Sequence, residues 1–445
     1  MKKFLNISLL SLVALSALTL GSCKNEIDEI FDEDAVARLD KAKAEYTNIL
    51  TSEGGKWQLE YYANSDEPGY VYLMTFRNDG SVTISGKNVW IGYASGESLS
   101  IPTYGSATSL WEVITDNGPV LSFNSFNKYF HIFADPEDIP SLSDEDTDET
   151  GYGHEGDYEF DLMSYSNDTL YITGKKYGID MIMTRVPANV DDEVYMNEVV
   201  AMADSFFNAK IPQVYINLPN GVRWIVKNGA SSILKMFREG DDEISTAEYH
   251  NVIITHDGLS FMNPLTIDGY TIKNFIRQAD GSLLCRDDNQ TTMTADELSR
   301  VFTISTFKWK MDLTQVGGVF ADLKSAIESE LAAYGSRKLS AVFITYESAA
   351  NSYAITFDCL YKKQTFHAMY YLNCETVGDE QIRYSYTGEP NAAGILYAEK
   401  CPSLISFVNA LCASTLNLQT SSLLAPVDMK LVDSGNSANY LYFTI

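Results

Sequence analysis

The chain has 445 residues, 45% of them hydrophobic and 12% aromatic, with 32 Lys and Arg against 60 Asp and Glu for a formal charge of −28. That hydrophobic content is globular and excludes a disordered chain. The length exceeds what one core usually serves, so two or three domains are expected, and the negative charge repels phosphate backbones and argues against nucleic acid as a partner.

Residues 1–22 read as a secretory signal: Met1-Lys2-Lys3, then an apolar run from Phe4 to Leu20 broken by Asn6, Ser8 and Ser11. The run is short and interrupted for a membrane span, which needs roughly 18–20 apolar residues, and no later stretch approaches that length. Leu20-Gly21-Ser22-Cys23 closes the run as a lipobox does, so Cys23 is expected to be acylated after cleavage and to hold the protein on a membrane without crossing it. The acidic stretch Lys24 to Asp34 follows as a solvated tether.

From Asp34 to Leu50 the pattern is helical, with Val36, Leu39, Ala42, Tyr46, Ile49 and Leu50 on one side. At Trp57 the period changes to two: Trp57, Leu59 and Tyr61, then Tyr70 to Phe76, the turn Asn78-Asp79-Gly80 and Ser81 to Ile84. Asp-Gly or Asn-Gly between β-rich runs marks a hairpin, because Gly accepts the positive φ of a type I′ turn. The same signal recurs at Asn117, Asn220, Asp257, Asp268 and Asp280, each followed by Gly. Helical faces interrupt the strands at Tyr195, Val199, Met202 and Phe206, at Phe320, Leu323, Ile327, Leu331 and Tyr334, and at Leu404, Val408 and Leu411. Isolated helices among hairpins predict an α+β class, β-rich and antiparallel. The expected divisions are 23–54 for lipidated Cys, tether and helix, 55–187 for a β-rich domain, 190–316 for a second α+β unit, and 317–445 for a C-terminal α+β unit. That last unit reads helix, four strands, helix, two strands, and its pattern leaves open whether it shares a core with the second. Gly69-Tyr70 to Ser81 resembles Gly269-Tyr270 to Ser282 with a one-residue gap, which reads as two similar hairpins.

Several blocks carry a family likeness: Trp57 to Tyr62 with Tyr70–Phe76 and Asp79-Gly80, Gly118 to Phe123, Phe130 to Pro136, Gly156 to Phe160, and Gly258 to Pro264. Together they resemble an uncharacterised family of Bacteroidota surface lipoproteins, a domain of unknown function covering nearly the whole mature chain. The tether is similar to the acidic signal that sends such lipoproteins to the cell exterior. The Trp-x-Leu start is similar to lipocalin-like β-barrels, so a lipocalin-like N-terminal domain is expected. The resemblance implies an outer-membrane, surface-exposed location and neighbours of the starch-utilisation type, namely a TonB-dependent importer and a substrate-capturing lipoprotein. It implies no catalytic residues.

Residue patterns offer few sites. Asp144, Asp146, Asp148 and Glu155 match positions 1, 3, 5 and 12 of a calcium loop, but Glu149 stands where Gly is needed, so weak calcium binding is the most this loop suggests. None of His131, His154, His250, His256 and His367 pairs at the i, i+4 spacing of a zincin, and Gly92 to Gly96 has the wrong spacing for a nucleophile elbow. No catalytic motif selects an enzyme. Removing Cys23 leaves Cys285, Cys359, Cys374, Cys401 and Cys412, an odd set expected to be mostly free, buried thiols. Trp90, Tyr93 and Tyr104 lie in a Gly/Ser-rich stretch where exposed rings could stack on a ligand such as a sugar. The expectation is a non-enzymatic outer-membrane surface lipoprotein that binds glycan or peptide for an importer, the alternative being an adhesion or structural lipoprotein.

Overall fold

The computed structural model describes residues 34–135, 154–206, 210–211, 213–230 and 233–445. Three antiparallel β-barrels follow one another along the chain, each with its own hydrophobic core.

The first is built from β1 (Lys56–Tyr61), β2 (Tyr70–Phe76), β3 (Ser81–Asn88), β4 (Thr103–Leu110), β5 (Glu112–Thr115), β6 (Pro119–Ser122), β7 (Glu159–Ser166), β8 (Thr169–Gly174) and β9 (Asp180–Arg185). Its sheet order is β4-β3-β2-β1-β9-β8-β7-β6-β5. Only Trp111 separates the two end strands, so β4 and β5 are one strand bent at Trp111 and the sheet wraps round on itself. Trp111 fixes the bend: its backbone N–H donates to Gly80 (3.0 Å), its indole N–H donates to the Ser81 carbonyl (3.0 Å), and its ring meets Phe76 edge-on. Inward residues alternate as the period of two requires, and Trp57, Leu59, Tyr61, Tyr72 and Met74 are all in the core. The helix Ala35–Thr51 is capped by Asp34 and buries Leu50 against this barrel.

The second barrel closes on itself in sequence order through β10 (Val214–Asn217), β11 (Arg223–Ala230), β12 (Ile233–Arg238), β13 (Glu248–Ile254), β14 (Gly258–Ile267), β15 (Tyr270–Arg277), β16 (Leu283–Cys285) and β17 (Thr292–Thr294). The third does the same through β18 (Lys308–Gly317), β19 (Lys338–Glu347), β20 (Ser352–Tyr361), β21 (Gln364–Gly378), β22 (Gln381–Pro390), β23 (Thr415–Gln419), β24 (Asp428–Asp433) and β25 (Tyr440–Thr444). The architecture is α+β and dominated by antiparallel strands, as the patterning predicts.

Two differences from the sequence reading have clear causes. The strand Lys308–Gly317, placed at the end of the second unit, pairs with β19 and β25 and so opens the third barrel. The C-terminal unit also ends in three strands rather than two, and the helix carrying Leu404 is a separate segment, Ser403–Leu411, set off from Ala392–Lys400 at Cys401-Pro402. The second and third barrels have separate cores, joined where the loop carrying Leu423 and Leu424 reaches across: Leu424 packs in the second core, and Leu423 exchanges backbone hydrogen bonds with Asp280 and Ala295.

A helix, Asp192–Phe206, straps the first barrel to the second. Tyr195, Met196 and Val199 cluster with Tyr62, Val71 and Leu73 of the first barrel and Ile253 of the second, while Met202 and Phe206 enter the second core. Backbone contact is direct as well, the Gly69 N–H donating to the Val252 carbonyl at 3.1 Å. Among the described residues no helix is long and apolar enough to cross a membrane.

Candidate functional site

The outward residues of a barrel strand normally meet water, giving apolar-in, polar-out alternation. In β1 every residue is buried. Trp57, Leu59 and Tyr61 fill the first core, and Lys56, Gln58 and Glu60 are covered from outside by the strap helix and the second barrel. Each covered polar group is then forced to find a partner. Lys56 Nζ donates to Asp192 Oδ1 (2.7 Å) and to the Val190 carbonyl (2.6 Å), and the Tyr195 hydroxyl donates to Gln58 Oε1 at 2.6 Å. Asp192 uses its second oxygen to accept from Ser85 Oγ at 2.8 Å.

Beyond these clamps the two barrels do not close fully, and a cleft of about 1230 Å³ remains between them. Glu60 and Tyr62 line it from the first barrel, Tyr195 from the strap helix, and His256, Lys273 and Arg286 from the second barrel. Its mouth carries exposed apolar side chains, Met163, Tyr171 and Val194. The volume suits a ligand larger than a single small metabolite.

The cleft is electrically unusual. Burial pushes the Glu60 carboxyl up from 4.5 to about 7, a rise resisted by Lys273 and Arg286 and helped by Asp257. Near neutral pH Glu60 is therefore divided between acid and carboxylate, and as the acid it can donate a hydrogen bond. Burial, with a smaller push from Glu60, holds the Tyr62 phenol well above its ordinary range. The Tyr62 hydroxyl and His256 Nδ1 are buried without a hydrogen-bond partner among the described residues. The His256 ring lies against the Tyr195 ring with centroids 4.3 Å apart, and its Nδ1 is 3.6 Å from Asp257, too long for a hydrogen bond. The half-buried Lys273 ammonium has no ion pair among the described residues, although most buried or half-buried cations of the molecule do, and the exposed Arg286 guanidinium at the cleft has none either.

The residues singled out from sequence fall elsewhere. Trp90 sits on the short helix Val89–Ala94, fully buried in the first core, its indole N–H donating to the Tyr70 hydroxyl at 2.8 Å. Asn88 caps that helix by accepting from the Ile91 N–H, which tucks Trp90 and Ile91 inward rather than into a surface loop. Tyr93 is exposed, and Tyr104 on β4 packs half-buried with the strap-helix cluster on the outside of the barrel. The three rings do not converge on one platform. Cys23, Asp144, Asp146 and Asp148 lie outside the described residues, while Glu155 is half-buried with a left-handed φ of 57°. Among the described residues no three His, Cys, Asp or Glu side chains group to hold a metal.

Of the remaining histidines, His131 accepts from the Asn127 N–H at Nδ1 and meets the Phe123 carbonyl through Nε2, and burial lowers its pKa. His154 is buried, 2.5 Å from Glu67 Oε1 and edge-on to Trp90. His250 and His367 are paired with Glu248 and Asp358. Cys285, Cys359, Cys374, Cys401 and Cys412 are free thiols, and burial pushes Cys359 and Cys374 up to about 12.

Sequence reasoning misses Glu60 altogether. In Trp57-Gln58-Leu59-Glu60-Tyr61 it reads as an ordinary outward strand residue, and its cover comes from residues more than 130 positions later.

Among solved structures, a DNA polymerase III β chain from Streptococcus pneumoniae TIGR4 is 8% identical over 91% of this chain and 97% of its own, with a TM-score of 0.13. The sliding-clamp subunit from Bartonella birtlesii LL-WM9 is 10% identical over 92% and 97%, with a TM-score of 0.14. The β subunit from Borrelia burgdorferi in complex with a natural product is 11% identical over 92% and 96%, also at 0.14. Backbones at those scores do not superpose, and the likeness carries nothing about fold or function. No curated protein matches the chain. The profile of a family described as a domain of unknown function, DUF4302, matches residues 27–279, which hold the whole first barrel, the strap helix and most of the cleft. That match spans more than half of the 445 residues, and the chain belongs to the DUF4302 family.

Proposed function

We propose that this is a non-enzymatic surface lipoprotein of a Bacteroidota outer membrane, anchored through Cys23, that captures glycan or peptide in the cleft between its first two barrels for a TonB-dependent importer. The observation that carries the reading is the cleft itself: about 1230 Å³ between two rigid barrels, with an apolar mouth and buried polar atoms that have no partner within the described protein. A built cavity with unmet hydrogen-bonding groups is a binding site by default. The Leu20-Gly21-Ser22-Cys23 sequence and the acidic tether support the address.

The test is recovery of partners and ligand together. Tagged full-length protein is pulled from detergent-solubilised outer membrane, alongside a Cys23→Ser form and a Thr173→Trp form that fills the cleft wall. The anchored protein is expected to bring down an importer and to bind a soluble oligomer, the cleft-filled form to keep the importer and lose the oligomer, and the Cys23→Ser form to leave the membrane fraction. Recovery of no importer, with attachment to host matrix instead, turns the assignment to adhesion.

A further inference from the structure

We infer that the cleft takes an oligosaccharide that carries carboxylates, with Lys273 and Arg286 holding a carboxylate and Glu60, Tyr62 and His256 meeting sugar hydroxyls. This rests on the cleft being a binding site.

The charge comes first. Acids outnumber bases 60 to 32, so an unpaired cation has many carboxylates to choose from. Lys56, Arg185, Arg223, Lys227 and Lys235 are all paired. Lys273, half-buried, and Arg286, exposed, both line the cleft near Glu60 and have no ion pair among the described residues. Asp257 also acts on Glu60, and it forms no ion pair with either cation. A ligand carboxylate would supply both cations with charge-assisted bonds, bidentate to the Arg fork.

The unpartnered polar atoms select hydroxyls. The Tyr62 hydroxyl and His256 Nδ1 are buried and unpartnered, and one needs an acceptor or donor as the other does. A sugar hydroxyl donates and accepts at once and can satisfy either. At the mouth the exposed Tyr171 ring offers an apolar face of the kind a pyranose ring covers.

The sheets argue against a peptide. Extended peptides are captured mainly by adding a strand to a free sheet edge. Here the cleft is walled mainly by β1, β8, β9, β14 and β15, each paired on both sides within its own barrel, with Met163 and Ser164 of β7, past its pairing with β6, and Met262 in the β14 bulge as short exceptions. Among the described residues no long strand edge runs free along the space, so recognition falls mainly to side chains.

The experiment is calorimetric titration of the full chain in detergent, in the presence of a chelator, with hexagalacturonate, neutral galactohexaose and hexaglutamate. The uronate is expected to bind, the neutral sugar at least tenfold more weakly, and the acidic peptide more weakly still. Lys273→Met with Arg286→Met should weaken the uronate at least tenfold in a protein that circular dichroism shows still folded, and leave the neutral sugar unchanged. Tyr171→Ala should weaken both sugars. Equal binding of the two sugars, no binding of the uronate, or tightest binding of hexaglutamate overturns the assignment of ligand class. Thr173→Trp separates the two levels: a probe that binds and is lost in that form keeps the cleft as the site whatever its class. A probe that binds undiminished in the filled form removes the cleft reading and this one with it.

Discussion

Burying Glu60 on the outer face of β1 makes folding depend on pH in a direction opposite to most surface carboxylates. Its folded value of about 7 stands above the ordinary 4.5, because burial outweighs Lys273 and Arg286. The folded protein thus holds this proton more tightly than the unfolded chain does. The stability it contributes is fully present below about pH 4.5 and is lost as pH rises through about 7. The whole span amounts to about 3 kcal/mol. Glu60→Gln keeps the shape and the neutral form and removes the ionisation, so it should match the parent near pH 4.5 and exceed it in stability at pH 8. Chemical denaturation of both proteins from pH 4.5 to 8 checks this, and a gap that does not widen with pH would show that Glu60 titrates as a solvated acid. At this scale the sequence was half legible. Alternation placed Trp57, Leu59 and Tyr61 inside and Gln58 and Glu60 outside correctly. Nothing local to β1 says that its outside is covered, and nothing local to Trp90 says that Asn88 starts a helix that turns the ring inward.

The strap helix is the element on which the cleft depends. Its apolar face was legible from Tyr195, Val199, Met202 and Phe206, yet the pattern could not tell that one half would serve the first barrel and the other half the second. Asp192 at its start is shared by Lys56 and Ser85, two residues of different strands, and so locates the helix on the barrel. Asp192→Ala leaves the largely buried Lys56 ammonium with only the Val190 carbonyl. Such a loss should cost about 2–3 kcal/mol, kept below the fully buried figure because Asp192 is one-fifth exposed. Hydrogen exchange should quicken in the first turns of the helix and in β1 ahead of the rest of the first barrel. Uniform quickening over all three barrels would mean that the helix end has no local role. Asp192→Asn, which can still accept from Ser85, should fall between the two.

Across the whole molecule, the repetition lies in a different place from where the hairpins suggest it. The turns at Asp79 and Asp280 are alike in detail: each carboxylate accepts from the N–H and hydroxyl of the Ser two residues on. They join the second and third strands of one barrel but the sixth and seventh of the other, so they are a shared turn and not a shared position. A matched position does link the first and third barrels. The Trp57 indole N–H donates to the carbonyl of Leu50, and the Trp309 indole N–H to that of Phe302, each seven residues back at 2.9 Å from the opening strand to the end of a helix. That Trp spacing was visible in the sequence, but without the helix ends it had no meaning.

The two look-alike turns also provide a controlled test of how the second barrel docks on the third. Gly80 and Gly281 have nearly the same left-handed backbone, with φ of 79° and 76°. Alanine at either position therefore meets the same conformational penalty of roughly 1–2 kcal/mol. Their surroundings differ. A Cβ on Gly80 would have the Trp111 carbonyl at an ordinary 3.8 Å, whereas one on Gly281 would meet Ser422 Cα at 2.6 Å, on the loop that carries Leu424 into the second core. The backbone cannot tolerate that approach, so Gly281→Ala must move the loop. Gly80→Ala should lower stability by the backbone penalty alone and keep a single unfolding transition. Gly281→Ala should lose more, and calorimetry should resolve the third barrel melting apart from the second. Leu424→Ala, which leaves the turn untouched and removes the buried side chain, should give the same separation at a cost of about 2–5 kcal/mol. Equal losses for the two glycine variants, with one transition in each, would mean that the loop follows the turn freely and that the barrels are held together by other contacts.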